Sequence, residues 1–175
     1  MHRLIGAVAL LFCQLALVPA ALAADKPAAA APAAIYRGAY FDIRYPAAFK
    51  PRPLDQPQAR ESSAASFASP DGDMEFYVFS PQWGGDAPGI ALVPKTEIET
   101  DRKSAAGKSS GVAGKFTWFT IAARDKSYTR SYQQFVADDG SIQWVIGMKY
   151  QSAAALQRYR DDYAKFKGSL RQLAD

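Results

Sequence analysis

The chain has 175 residues, with 21 Lys and Arg against 17 Asp and Glu, a formal charge of +4, and one His and one Cys. Both charge signs are scattered along it, without the clustered cationic face that nucleic-acid binding requires, so no nucleic-acid partner is expected. His2 and Cys13 both fall within the first 23 residues, which limits the chemistry open to the rest.

That first segment reads as a cleavable export signal. Arg3 supplies a positive start, residues 4–18 are apolar except for Gln14, and Pro19 precedes the small-residue site Ala21-Leu22-Ala23. Cleavage after Ala23 follows the secretory pattern. The apolar run is shorter than the roughly 20 residues of a spanning helix, so no membrane span is expected after cleavage. Lipidation of Cys13 is not expected either, because the large Phe12 stands where a small residue is needed. The expected location is the periplasm or the exterior. Cleavage would remove the imidazole and the thiol together. Ser–His and Cys–His catalysis and Cys/His zinc sites would then be excluded. Residues 24–34 (ADKPAAAAPAA) have the composition of a flexible linker. Residues 35–175 show no second linker and no repeat, and read as one domain.

The domain opens on residues 40–46 (YFDIRYP). Phe41, Ile43 and Tyr45 alternate with Asp42 and Arg44, which predicts a half-buried strand stopped by Pro46. Pro51, Pro53 and Pro57 predict an irregular stretch. A hairpin is predicted next, with strands at 64–69 and 74–80 around the turn Ser69-Pro70-Asp71-Gly72-Asp73. Residues 81–94 (PQWGGDAPGIALVP) form a long Gly/Pro loop. A short edge strand is predicted over 96–104, and a small, mobile segment over 105–114. Strands at 115–123, 127–137 and 141–151 then form a meander. In the last, Ile142, Trp144, Ile146, Met148 and Tyr150 alternate with Gln143, Gly147 and Lys149, the pattern of an antiparallel sheet with one packed face. Ser152 is a candidate N-cap. Leu156, Tyr159, Tyr163, Phe166, Leu170 and Leu173 follow as the apolar stripe of a C-terminal helix. Strands in a run followed by a helix that packs on them give an α+β fold.

Few constellations in this pattern carry chemistry. Gly107-Lys108-Ser109 resembles the end of a phosphate loop, but Arg102 stands where the motif needs its first glycine. Asp71, Asp73 and Glu75 crowd a turn between strands rather than a calcium loop between helices. Glu97, Glu99 and Asp101 would lie about 6.6 Å apart along one strand face, which suits a solvated edge that discourages pairing. No metal and no cofactor are expected. The aromatic content, three Trp, nine Tyr and ten Phe, is mostly in core phase. Trp83, beside Gln82, is the exception, because its loop has no periodicity to bury an indole. It either folds back as a lid on the sheet or serves as a binding hot spot. Tyr128, Arg130 and Tyr132 share one strand face. That face is either a stacking surface for a ligand or the solvated side of the sheet.

The segment YFDIRYPAAF, the turn at Ser69-Pro70-Asp71-Gly72 feeding Glu75-Phe76-Tyr77-Val78-Phe79, and the meander leading into a C-terminal helix resemble the PsbP/DcrB-like superfamily. The resemblance covers about residues 36–173. It implies a central antiparallel sheet between helices, an α/β/α sandwich. It also implies scaffolding and binding roles of the kinds known there: assembly around photosystem II, binding of a small GTPase, and envelope functions in bacteria. No shared catalytic residue comes with it. Such folds often place a helix after the second hairpin, whereas residues 81–114 here are rich in Gly and Pro.

The function expected from the sequence is that of an exported binding or envelope-associated accessory protein without catalysis, its partner an envelope protein. Two alternatives are a carboxylate-based hydrolase of envelope glycans and a secretion-accessory or immunity-type protein.

Overall fold

The computed structural model describes residues 32–55 and 62–173. The segment read as an export signal and most of the Ala/Pro-rich stretch lie outside the described residues, as does Pro57. The linker's end differs from expectation: Ala33 and Ala34 already belong to the first strand, β1 (Ala33–Arg37). It pairs with β2 (Phe41–Pro46), Ala34 opposite Tyr45. The sequence of this lead-in has no strand pattern of its own, so pairing with β2 is what orders its end.

β3 (Lys50–Pro53) occupies the stretch expected to be irregular. The reason lies in where its prolines stand. β3 is the edge of a larger sheet and pairs only with β4 (Ala64–Ala68). The Leu54 N–H donates to the Ala64 carbonyl, which puts the even-numbered amides inward. Pro51 and Pro53 therefore place their missing donors on the open side, where an edge strand loses nothing. β4 and β5 (Met74–Phe79) make the predicted hairpin, followed later in the chain by the meander strands.

The largest departure is at 96–114. β6 (Glu97–Ser109) runs thirteen residues and pairs along its length with β7 (Val112–Ala123). The segment expected to be mobile is a two-residue hairpin. Ser110 and Gly111 carry φ of 51° and 84°, the double positive φ that matches hairpin twist. Long pairing with β7 overrides the weak strand propensity of the Ala- and Gly-rich stretch. β8 (Thr129–Ala137) and β9 (Gln143–Tyr150) complete the meander.

α1 (Ala153–Gly168) begins where expected, the Ser152 hydroxyl accepting from the Ala155 N–H at 3.1 Å. It ends before its apolar stripe does. After Ser169 the chain extends as β10 (Arg171–Gln172), which pairs with β2. All pairings are antiparallel, in sheets of order β1-β2-β10 and β3-β4-β5-β9-β8-β7-β6. The chain is thus α+β, mostly antiparallel sheet with one C-terminal helix packed on it.

The large sheet is covered on both faces, not one. On the first, Phe41, Phe67, Phe76, Phe135, Ile146 and Phe166 form a core that joins the small sheet and α1 to the large one. Asp71 and Asp73 of the β4–β5 turn hold the helix from its exposed side, through Arg158 and Tyr159. On the second face, Tyr77, Phe79, Phe119, Ile121, Tyr132 and Val145 pack beneath Leu54, Ala87 and Ile90. No helix among the described residues lies there. The Gly/Pro loop covers it instead.

Candidate functional site

The loop between β5 and β6 is fastened at both ends. Near its start, the Gln143 amide makes two bonds to Gly85: its Oε1 accepts from the backbone N–H at 3.0 Å, and its Nε2 donates to the carbonyl at 2.8 Å. Gln172 adds a bond from Nε2 to Ser80 Oγ at 3.0 Å. Near the loop's end, Arg130 reaches up from β8. Its Nη1 donates to Gly89 O and its Nη2 to Ala91 O, both at 2.8 Å. Nη2 also meets Glu97 Oε2 at 2.5 Å. Glu97 in turn accepts from the Tyr128 hydroxyl at 2.7 Å and from the Val93 N–H at 2.8 Å. Tyr77 OH donates to Pro88 O at 2.9 Å. A coil rich in Gly and Pro has many backbone groups and few pairing options, so side chains from the sheet supply the partners.

This corrects the expectation for Tyr128, Arg130 and Tyr132. They do share a face, but it is neither a solvated side nor an open stacking surface. Arg130 and Tyr132 are buried beneath the loop. Tyr132 stacks inward on Phe119 and edge-on to Tyr77. Its ring lies over Gly147, where a Cβ would come within 2.1 Å of it. Glu97 is corrected too. Expected on a solvated edge, it is buried as the partner of Arg130. A bulge between Glu99 and Asp101 breaks the alternation that would have put the three acids on one face. Glu99 instead pairs with Arg102.

Trp83 has the other fate open to it. It is 76% exposed and caps nothing. With Gln82 it lines a groove of about 670 Å³ together with Tyr40, Ile142, Leu170 and Leu173. Arg171 supplies a cation there. The anchors at Gly85 and Ser80 flank the indole in sequence, so it stands on a constrained piece of loop. The structure therefore separates the predicted residues into two places: Trp83 and Gln82 at this groove, Tyr128, Arg130 and Tyr132 under the loop's far end.

Burial pushes the Glu97 carboxyl up, but hydrogen bonds from Tyr128, Val93 and Arg130 outweigh it and hold the group below its ordinary value of 4.5. A carboxyl lowered by folding stabilises fully above its unfolded value and ceases to do so as pH falls through its folded one. The gap in urea midpoint between wild type and Glu97→Gln should accordingly be widest at neutral pH and narrow as pH falls below the ordinary carboxyl range. A gap that stays constant over that range would contradict the assignment. Burial also raises Tyr77 and Tyr132, so both phenols remain neutral. Among the described residues, every resolved carboxyl shift is downward, at Asp71, Glu97, Glu99, Asp125 and Asp139.

Gln143 and Gln172 were not singled out from the sequence. Gln143 was read only as a polar phase in its strand. Neither has a local signal, since each acts on a segment distant in the chain.

No family model matches the chain, and no curated protein matches it. Among solved structures, a crystal structure from Bacteroides thetaiotaomicron VPI-5482 is similar at 10% identity with a TM-score of 0.44. The similarity covers 83% of this chain and 49% of that one. The chain thus spans about half the length of that protein.

Proposed function

We propose that the protein is an exported binding or envelope-associated accessory protein that recognises a protein partner through the Trp83 groove. The observation that carries this reading is a tryptophan 76% exposed on a loop anchored to the sheet. Large aromatic side chains on constrained backbone lose little entropy on binding, and Trp is enriched among hot spots. Leu173, 46% exposed, extends the apolar rim. The export signal supports a periplasmic or secreted location for it. The finer fold reading, a PsbP/DcrB-like relative, rests on the strand opening at 40–46 and on the meander that leads into a C-terminal helix.

The test is capture of envelope proteins by purified wild type and by Trp83→Ala. The variant should lose the partners that wild type retains and melt at the same temperature, because exposed substitutions away from special features change stability by about 0.5 kcal/mol or less. Identical capture profiles would remove the groove from the reading.

A further inference from the structure

The Trp83 groove offers a ligand a biased set of hydrogen-bonding groups. The Trp83 indole and the Arg171 guanidinium line it, and both donate without accepting. The Tyr40 phenol, which donates as well as accepts, lines it too. None of these three side chains makes a hydrogen bond or ion pair to another described residue, although Asp42 lies directly across from Arg171 in the small sheet. All three are within reach of a ligand: Trp83 and Arg171 are exposed, and Tyr40 is half-buried. Among the described residues no carboxylate lines the groove, and Pro81, Ile142, Leu170 and Leu173 give it an apolar surface.

A ligand that fits must bring acceptors and an apolar surface without a surplus of donors. An ordinary peptide brings a backbone N–H with each carbonyl, and every N–H left unpaired on binding is a penalty. A proline brings a carbonyl and no N–H. A run of prolines also holds the polyproline II helix before it binds, with its carbonyls unpaired, so little chain entropy is lost. Grooves lined by aromatic rings take such segments. Here the two rings come from separate elements that are each held in place. Trp83 stands on the anchored loop after β5, and the Tyr40 carbonyl, just before β2, accepts from the Leu173 N–H at 2.9 Å.

From these free donors and aromatic rings we infer that the groove recognises a proline-rich segment of the partner in the polyproline II conformation. The inference rests on the reading of the groove as the contact site for a protein partner and adds the chemistry of what is recognised. The rings of Trp83 and Tyr40 receive pyrrolidine rings. The indole N–H, the Tyr40 hydroxyl and the Arg171 guanidinium donate to the carbonyls of the segment.

Decaproline with blocked ends, titrated into the purified protein at fixed ionic strength, tests this through the NMR resonances of the indole N–H groups. That of Trp83 should shift saturably, while those of Trp118 and Trp144 stay in place. By calorimetry, Trp83→Ala should weaken decaproline at least about tenfold. Tyr40→Phe keeps the ring and deletes only the donor, and should weaken it about fivefold. The absence of any saturable shift, an equal shift from a Gly-Ser decapeptide, or an unchanged affinity in either variant would each overturn the inference. If decaproline fails to bind while Trp83→Ala still loses its envelope partners, the groove remains the contact site and the proline-rich class alone falls.

Discussion

Replacing Arg130 by alanine should destabilise the protein by about 3–5 kcal/mol, because it strips the counter-charge from a buried carboxylate. For a domain of this size that corresponds to a fall in Tm of about 6–20 °C. The partner, Glu97, has a side chain only 4% exposed, and the two groups sit at 2.5 Å. The same change deletes the donors to Gly89 and Ala91, so the loop loses its attachment along with the ion pair. Hydrogen exchange should accordingly accelerate across residues 88–93 more than across β9. A double change, Arg130→Met with Glu97→Leu, should recover much of the loss, since a buried pair replaced by apolar groups is often neutral. If the single variant melts within a degree or so of wild type, Arg130 is not the fastening described. The comparison also separates the pair's coulombic role from the loop's hydrogen bonds, because the double variant restores neither of the two carbonyl contacts.

Phe166→Ala is the second large effect, expected at about 3–5 kcal/mol for deletion of a buried phenyl ring. Phe166 is 1% exposed, with ring centres 5.0 Å from Phe76 and 5.3 Å from Phe67. It is the larger of the two buried side chains of α1 and sits in the core between the helix and the large sheet. Arg158→Ala on the same helix should cost only about 0.2–1 kcal/mol. Its ion pairs with Asp71 and Asp73 are roughly half-exposed. Urea unfolding of the two variants, read by far-ultraviolet circular dichroism, gives the contrast directly. Equal losses would mean that the polar turn, not the aromatic core, docks the helix.

These two predictions concern the two faces of one sheet, and the faces were unequally readable. The helix face announces itself: Trp144, Ile146 and Met148 alternate, and the apolar stripe of α1 has a 3,4 spacing that only a partner surface explains. The loop face left a fainter mark. Val145 interrupts the polar phase of β9, and residues 76–79 are apolar without alternation, the signature of strands buried on both sides. What covers that second face has no periodicity at all, because a coil is held through its backbone and not through a side-chain stripe. Trp83 stood out for the same reason, but its loop setting left open whether the indole capped the sheet or faced outward.

The sequence by itself determined the order of the hairpin, the meander and the capped helix, since each follows from short-range periodicity, turn chemistry and a capping hydroxyl. It also located the residues of interest on the loop and on β8. Only the tertiary structure decided what they do. Glu97 and Arg130 are 33 positions apart in sequence, Gly85 and Gln143 are 58 apart, and no local pattern encodes such partners. The same holds for β3 and the extended β6. Prolines and small residues argue against a strand locally, yet an edge position tolerates the first and a long partner strand recruits the second. Pairing and burial, which depend on the assembled sheet, turned a face that read either as a stacking surface or as the solvated side into the fastening of a loop.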